Sequence, residues 1–266
     1  AQLQGEAVLA YLLLQTNYYF MVIQMNADVN FSNTGIAQIR NISQCYEAVK
    51  RTMERNPLLP GISAFYGPSG FGKSTAANFV ATKTNAFYVQ VKSTYTQKAF
   101  LQALLREMSI PSPTTLSEMM ELAISELAKS GRPLIIDEFD HLVQGNKVEI
   151  IRDLYEGSQG TFLIIGEEML ARKLEKWERF HGRILNWVPA LPADINDVTL
   201  LTSIYAPKLE IETSVLELLL SQVRGSTRRV STNLEMLNEK ALEAGIRQVS
   251  KQVLKDLLLD GFVTGE

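Results

Sequence analysis

The chain has 266 residues, a formal net charge of −3, and 46% hydrophobic against 21% charged residues. That composition describes an ordinary globular protein with room for one large domain or two unequal ones, and it excludes a strong overall basic field. Cys45 is the only cysteine, which excludes an internal disulfide framework and suits the reducing cytosol.

In chain order, the first feature is the apolar run "AVLAYLLLQTNYYFMVIQ". Gln15, Thr16 and Asn17 interrupt it before membrane-spanning length, and it has neither the basic start nor the cleavage pattern of a signal peptide. Residues 1–24 are therefore expected to form either an extension outside the main fold or a helix packed on its body, without a membrane anchor. Composition becomes more usual from Met25, and a helical lead-in over about 35–56 ends at Asn56-Pro57.

Apolar runs then alternate with helical patterns. "GISAFY", "AFYVQV", "PLIIDEFD", "TFLIIG" and "RILNWVPA" read as five strands. Between them, "STAANFVATKT", "TQKAFLQALLREMSI", "TLSEMMELAISELAKS", "VEIIRDLYEGSQ" and the charged "EEMLARKLEKWERFHG" read as helices. The alternation predicts an α/β domain over 25–192, a parallel five-stranded sheet with helices on both faces. From Asp194 onward no strand pattern remains, so 193–266 is predicted to be a small helical domain.

The stretch "GPSGFGKS", Gly67 to Ser74, falls between the first strand and a helix. This is the Walker A pattern of P-loop nucleotide-binding proteins. Gly67, Pro68, Ser69, Gly70, Phe71 and Gly72 form a loop whose backbone N–H groups can face phosphate oxygens. Lys73 supplies charge to the β- and γ-phosphates, the Ser74 hydroxyl suits Mg²⁺, and Thr75 follows at the positive start of the helix. Leu134-Ile135-Ile136-Asp137-Glu138 reads as the matching Walker B strand. It carries Asp137 to the sheet edge beside Mg²⁺, with Glu138 placed to polarise an attacking water. Asp140 is expected at the surface.

Two later features are less specific alone. Arg179 and Arg183 stand at the end of the charged helical stretch, just before the fifth strand, and either could be a solvated helix residue. "GSTRRVSTNLEMLNEKA" opens a helix of the C-terminal domain with Gly-x-x-Arg, the Arg being Arg228.

With Walker A, Walker B, a pre-strand Arg and a helical lid in this order, the chain resembles an AAA+ P-loop ATPase. More narrowly, it resembles the phage Mu B transposition protein and its relatives TniB and TnsC. The likeness runs from about Ile36 to the C-terminus, through "GISAFYGPSGFGKSTAANFVATKTNAFYVQV", "PLIIDEFDHL", "LIIGEEML" and "WERFHGRILNWVPA". The resemblance implies an ATPase with ATP and Mg²⁺, oligomerising as a filament or ring on double-stranded DNA without sequence specificity. It also implies recruitment and stimulation of a DDE-type transposase, with ATP hydrolysis driving disassembly in the bacterial or phage-infected cytosol. Arg183, or second Arg179, becomes an arginine finger toward a neighbouring subunit's nucleotide. Arg228 becomes the sensor 2 residue, although Ser226 replaces the family's acidic residue, and Glu167 stands where sensor 1 is usually Asn or Thr. DNA contacts are expected from Lys92, Thr94, Tyr95 and Lys98 after the second strand, and from Lys147 after Walker B; without the resemblance these are equally a solvated polar loop. A helicase loader, a P-loop small-molecule kinase and a non-catalytic ATP-binding scaffold remain the alternatives.

Overall fold

A computed structural model describes residues 37–257 and 261–264, so the predicted extension over 1–24 lies outside the described residues. Helix α1, Arg40–Met53, buries Ile42, Cys45, Val49 and Thr52, a spacing that keeps one face on the core. It leads into β1, Ile62–Tyr66, whose first four residues are all buried. The next elements are α2 (Lys73–Thr84), β2 (Phe87–Gln90), α3 (Gln97–Glu107), α4 (Leu116–Ser130) and β3 (Leu134–Asp137). Helix α4 starts on a reciprocal Thr115–Glu118 capping box and stops at Gly131, whose φ of 63° is cheap only for glycine.

After β3 come α5 (Asp140–Gln144), α6 (Val148–Ser158), β4 (Phe162–Gly166), α7 (Leu170–Leu174), α8 (Glu178–His181) and β5 (Ile184–Pro189). The five strands form one sheet in the order β2-β3-β4-β1-β5, with every pairing parallel. Their apolar runs follow from position: β3 and β4 are buried throughout because helices cover both faces. The order also inserts β4 between β1 and β3. The carboxyl end of β4 thus separates the strands that carry the two Walker motifs.

Two sequence expectations are corrected. The charged stretch 167–182 is two short helices rather than one. Leu170 and Leu174 share a face of α7, but Phe180 six residues later would point away from it in a continuous helix. The break lets Phe180 stack on Phe139, with ring centroids 5.6 Å apart. The C-terminal part also contains strands: β6 (Glu210–Ile211) pairs in parallel with β7 (Gln248–Val249). Two residues are too short for an alternating pattern to register in sequence.

Around that pair the C-terminal part is helical: α9 (Ile195–Tyr205), α10 (Thr213–Val223), α11 (Thr227–Glu243) and α12 (Lys251–Leu257). Asp194 and Asp197 form a capping box at the start of α9. The Arg40 side chain from α1 donates to Asp197 at 3.1 Å and to the Pro192 carbonyl at 2.7 Å. The lead-in helix therefore clamps the junction between the sheet and the helical lid.

Candidate nucleotide site

The Gly-rich loop leaves β1 at the carboxyl edge of the sheet. Its first N–H, from Gly67, donates to the Gly166 carbonyl at the end of β4, at 3.3 Å. Gly70 and Gly72 have φ of 84° and 80°, conformations that side-chain-bearing residues rarely adopt. Lys73 opens α2, and its ammonium curls back to the carbonyls of Gly67 and Pro68, at 2.7 and 2.9 Å. Burial lowers the Lys73 pKa, while Glu138, Asp137, Asp140 and Glu167 all act in the opposite sense. Four carboxylates thus lie near enough to favour the charged form of this one ammonium. Ser74 is half-buried on the first turn of α2, whereas Ser69 and Thr75 are exposed.

Asp137 ends β3 almost fully buried, and both of its carboxylate oxygens are held. Oδ1 accepts the Glu138 N–H and Oδ2 accepts the Tyr88 hydroxyl, each at 2.8 Å. Tyr88 comes from β2, where it stands opposite Ile135 of β3. Burial, then the Asp137 charge, pushes its phenol above the ordinary range, so it remains a proton donor. Sequence reading missed Tyr88, because an aromatic residue in a strand reads simply as core. Glu138 has φ of 56°, a strained left-handed conformation for a residue with a side chain. Of the charges acting on Lys73, that of Glu138 is the strongest.

A magnesium ion fits this donor set. Each oxygen of Asp137 keeps a lone pair beyond its hydrogen bond, and the Ser74 hydroxyl is a second hard donor. Among the described residues no group of three or more His, Cys, Asp or Glu side chains could hold a metal by itself.

Asp140 is not at the surface. It is 2% exposed, and its Oδ2 accepts the Glu167 N–H while its Oδ1 binds the Lys173 ammonium at 2.7 Å. The Glu167 carboxylate is paired with the same ammonium at 3.0 Å. Lys173 was missed because a lysine in a charged helical stretch reads as solvated.

The lid closes over the loop from the other side. The Arg228 N–H donates to the Gly70 carbonyl at 2.9 Å, which puts the start of α11 directly on the Gly-rich loop. Ser226, standing where the resembled family has an acid, caps α11 by accepting from the Arg229 N–H. Serine and aspartate are comparable caps, so the substitution keeps the helix start. Gly70 is tight as well as twisted, since a Cβ there would lie 2.6 Å from the Ser226 hydroxyl. Asn41, buried at the start of α1, donates to the carbonyls of both Phe71 and Leu191 at 2.8 Å. Loop, lead-in helix and lid junction are thereby joined through one side chain.

Arg183 and Arg179 lie elsewhere. The Arg183 carbonyl accepts from Ile62 at the first residue of β1, five residues before Gly67. At about 3.3 Å per residue that is roughly 16 Å from the loop, beyond the reach of one arginine. Arg183 pairs with Glu156 through Nε and a terminal nitrogen, at 3.2 and 3.0 Å. Both arginines line a recess of about 440 Å³ together with Arg152, Glu156, Glu178 and Gly182.

Of the expected DNA contacts, Lys147 donates to the Tyr95 carbonyl, and the Tyr95 N–H to the Lys92 carbonyl. Lys92 and Thr94 are exposed, so these four residues meet at one place. Lys98 is separate, with its ammonium on the Thr114 carbonyl at 2.8 Å.

Residues 59–174 match the family model described as an AAA domain. Among solved structures, the ORC2 protein of Aeropyrum pernix, in ADPNP–ADP complexes, superposes with a TM-score of 0.65 at 16% identity, covering 86% of this chain and 70% of that one. The ORC1 protein of the same organism, in complex with DNA, gives 0.61 at 14%, covering 86% and 68%. Domain III of the replication initiation protein DnaA from Thermotoga maritima gives 0.55 at 19%, covering 86% and 95%. The fold is that of an AAA+ P-loop NTPase. No curated protein matches the sequence. No helix among the described residues is long and apolar enough to cross a membrane.

Proposed function

We propose that the protein hydrolyses ATP in an assembly formed on double-stranded DNA, and that it regulates transposition by delivering target DNA and stimulating a DDE-type transposase. The observation that carries the ATPase part is the convergence of Lys73, Asp137, Glu138 and Arg228 on one loop. Lys73 places charge against the β- and γ-phosphates, and Glu138 orients and polarises water. Arg228 couples the lid to whatever the loop holds. Mg²⁺, when bound at Ser74 and Asp137, neutralises phosphate charge. Arg183 is too far away to serve its own subunit's nucleotide, so it acts on a neighbour's, which makes assembly a condition of turnover.

The DNA part rests on the Lys92–Thr94–Tyr95–Lys147 cluster, in which Lys92 and Thr94 are exposed and Tyr95 and Lys147 half-buried, a set that suits phosphate contacts without base reading, and on the Mu B-like stretches of sequence. A second reading, an initiator-like AAA+ protein such as a helicase loader, is favoured by the fold likeness to ORC proteins and DnaA. The two separate in one experiment. ATP turnover is measured with and without long duplex DNA, and DNA strand transfer by a DDE-type transposase is assayed with and without this protein. DNA-stimulated turnover with enhanced strand transfer supports the transposition reading. Stimulated turnover without enhancement moves the protein to the second reading. Glu138→Gln is expected to abolish turnover while assembly with ATP persists, checked by phosphate release and electron microscopy.

A further inference from the structure

Two carboxylates and two ammonium groups are wired together beneath the Gly-rich loop. The Lys73 ammonium binds the Gly67 carbonyl, the Gly67 N–H binds the Gly166 carbonyl, and the next N–H, from Glu167, binds Asp140. Asp140 and Glu167 then share the Lys173 ammonium. The resulting arrangement sits at the end of β4, between the strands that carry Lys73 and Asp137. An exposed carboxylate such as Glu167 at this point would repel a terminal phosphate. Lys173 neutralises it.

We propose that Lys173 binds the terminal phosphate of ATP and is the group by which this site distinguishes ATP from ADP. An ammonium has three N–H donors, and Asp140 and Glu167 accept two of them. The third is available to an anion, and the Lys173 side chain keeps 31% of its exposure. Its position is fixed from behind: the Asp140 side chain is 3% exposed, and a Cβ on Gly166 would collide with that carboxylate. The hydrogen bond that the ammonium donates to Asp140 raises the Lys173 pKa, so the ammonium stays charged. Glu167 is then a movable counter-ion that yields the ammonium to phosphate, rather than a sensor itself.

The inference rests on the ATPase reading, and the test separates the two. Dissociation constants for ATP and ADP are measured by displacement of a fluorescent nucleotide for the wild type, Lys173→Met, Lys173→Arg and Lys73→Ala. The double variant Asp140→Asn/Lys173→Met is included because it removes both partners of the pair, leaving no unpaired buried carboxylate, and so guards against misfolding. We expect Lys173→Met and the double variant to lose ATP affinity by about ten- to a hundredfold, with ADP affinity changed by less than about twofold. Lys173→Arg should keep part of the preference for ATP. Equal loss for both nucleotides in a double variant that is still folded at the assay temperature, checked by its melting curve, or no loss at all, would overturn the assignment of Lys173. A wild type that binds neither nucleotide, or binding unaffected by Lys73→Ala, overturns the ATP reading itself.

Discussion

The two edges of the sheet hold their charges in opposite ways. At the carboxyl edge, Asp137 and Asp140 are almost fully buried and fixed by backbone N–H groups and by Tyr88 and Lys173. At the amino edge, Arg183 and Glu156 keep 46% and 42% of their side-chain exposure, and Glu156 is shared between Arg183 at 3.0 Å and Arg152 at 4.0 Å. A solvated pair of that kind contributes at most about 1 kcal/mol, so Arg183 is released at little cost when a better anion arrives. One edge is preorganised inside a single subunit. The other, on the function proposed here, is completed by a neighbour.

The contrast breaks most visibly in a pair of variants. Lys73→Ala should abolish nucleotide binding by the isolated chain. Arg183→Ala should leave that binding within about twofold of normal, yet lower DNA-stimulated kcat by about a thousandfold, the scale of a lost arginine finger. Equilibrium binding and steady-state turnover on the same preparations check both. A larger loss from Arg179→Ala would transfer the role to the other arginine of the recess.

A smaller effect tests how firmly the carboxyl edge is built. Tyr88→Phe removes the hydroxyl from Asp137 Oδ2 without changing the shape of the ring. A hydrogen bond to a buried charge contributes about 1.5–3 kcal/mol, so the melting temperature should fall by several degrees. Nucleotide binding should also need several-fold more Mg²⁺, measured as the half-saturating concentration. Glu156→Gln on the opposite edge should cost less than about 1 kcal/mol. Equal costs on the two edges would erase the distinction drawn between them.

What the sequence disclosed follows the same division. The Gly-rich loop, Asp137-Glu138 and the alternating strands were legible because each is a local pattern with its own chemistry. Tyr88, Lys173 and Asn41 were not, since each acts across the fold on a partner between 30 and 150 residues away. A tyrosine in a strand or a lysine in a charged helix carries no local sign of its partner. Asp140 was read as a surface acid for that reason, its partners lying on β4 and α7. The split of 167–182 into two helices was hidden because Phe180 needed Phe139 as a packing partner to betray it.

The smallest effect concerns pH and salt. Lys173 has its folded-state pKa raised above the ordinary 10.5, first through the hydrogen bond it donates to Asp140. Its contribution to stability is therefore fully present below the unfolded value and is lost as pH rises through the higher folded value. The stability gap between the wild type and Asp140→Asn/Lys173→Met should stay level from neutral pH to about pH 9 and narrow only in more alkaline solution. Added salt should leave that gap nearly unchanged, because Asp140 is shielded from counter-ions. The same salt should shrink the already small effect of Glu156→Gln on the exposed edge. Melting curves across pH and ionic strength test both, and a gap that closes at neutral pH would mean that the Lys173–Asp140 pair does not anchor the site.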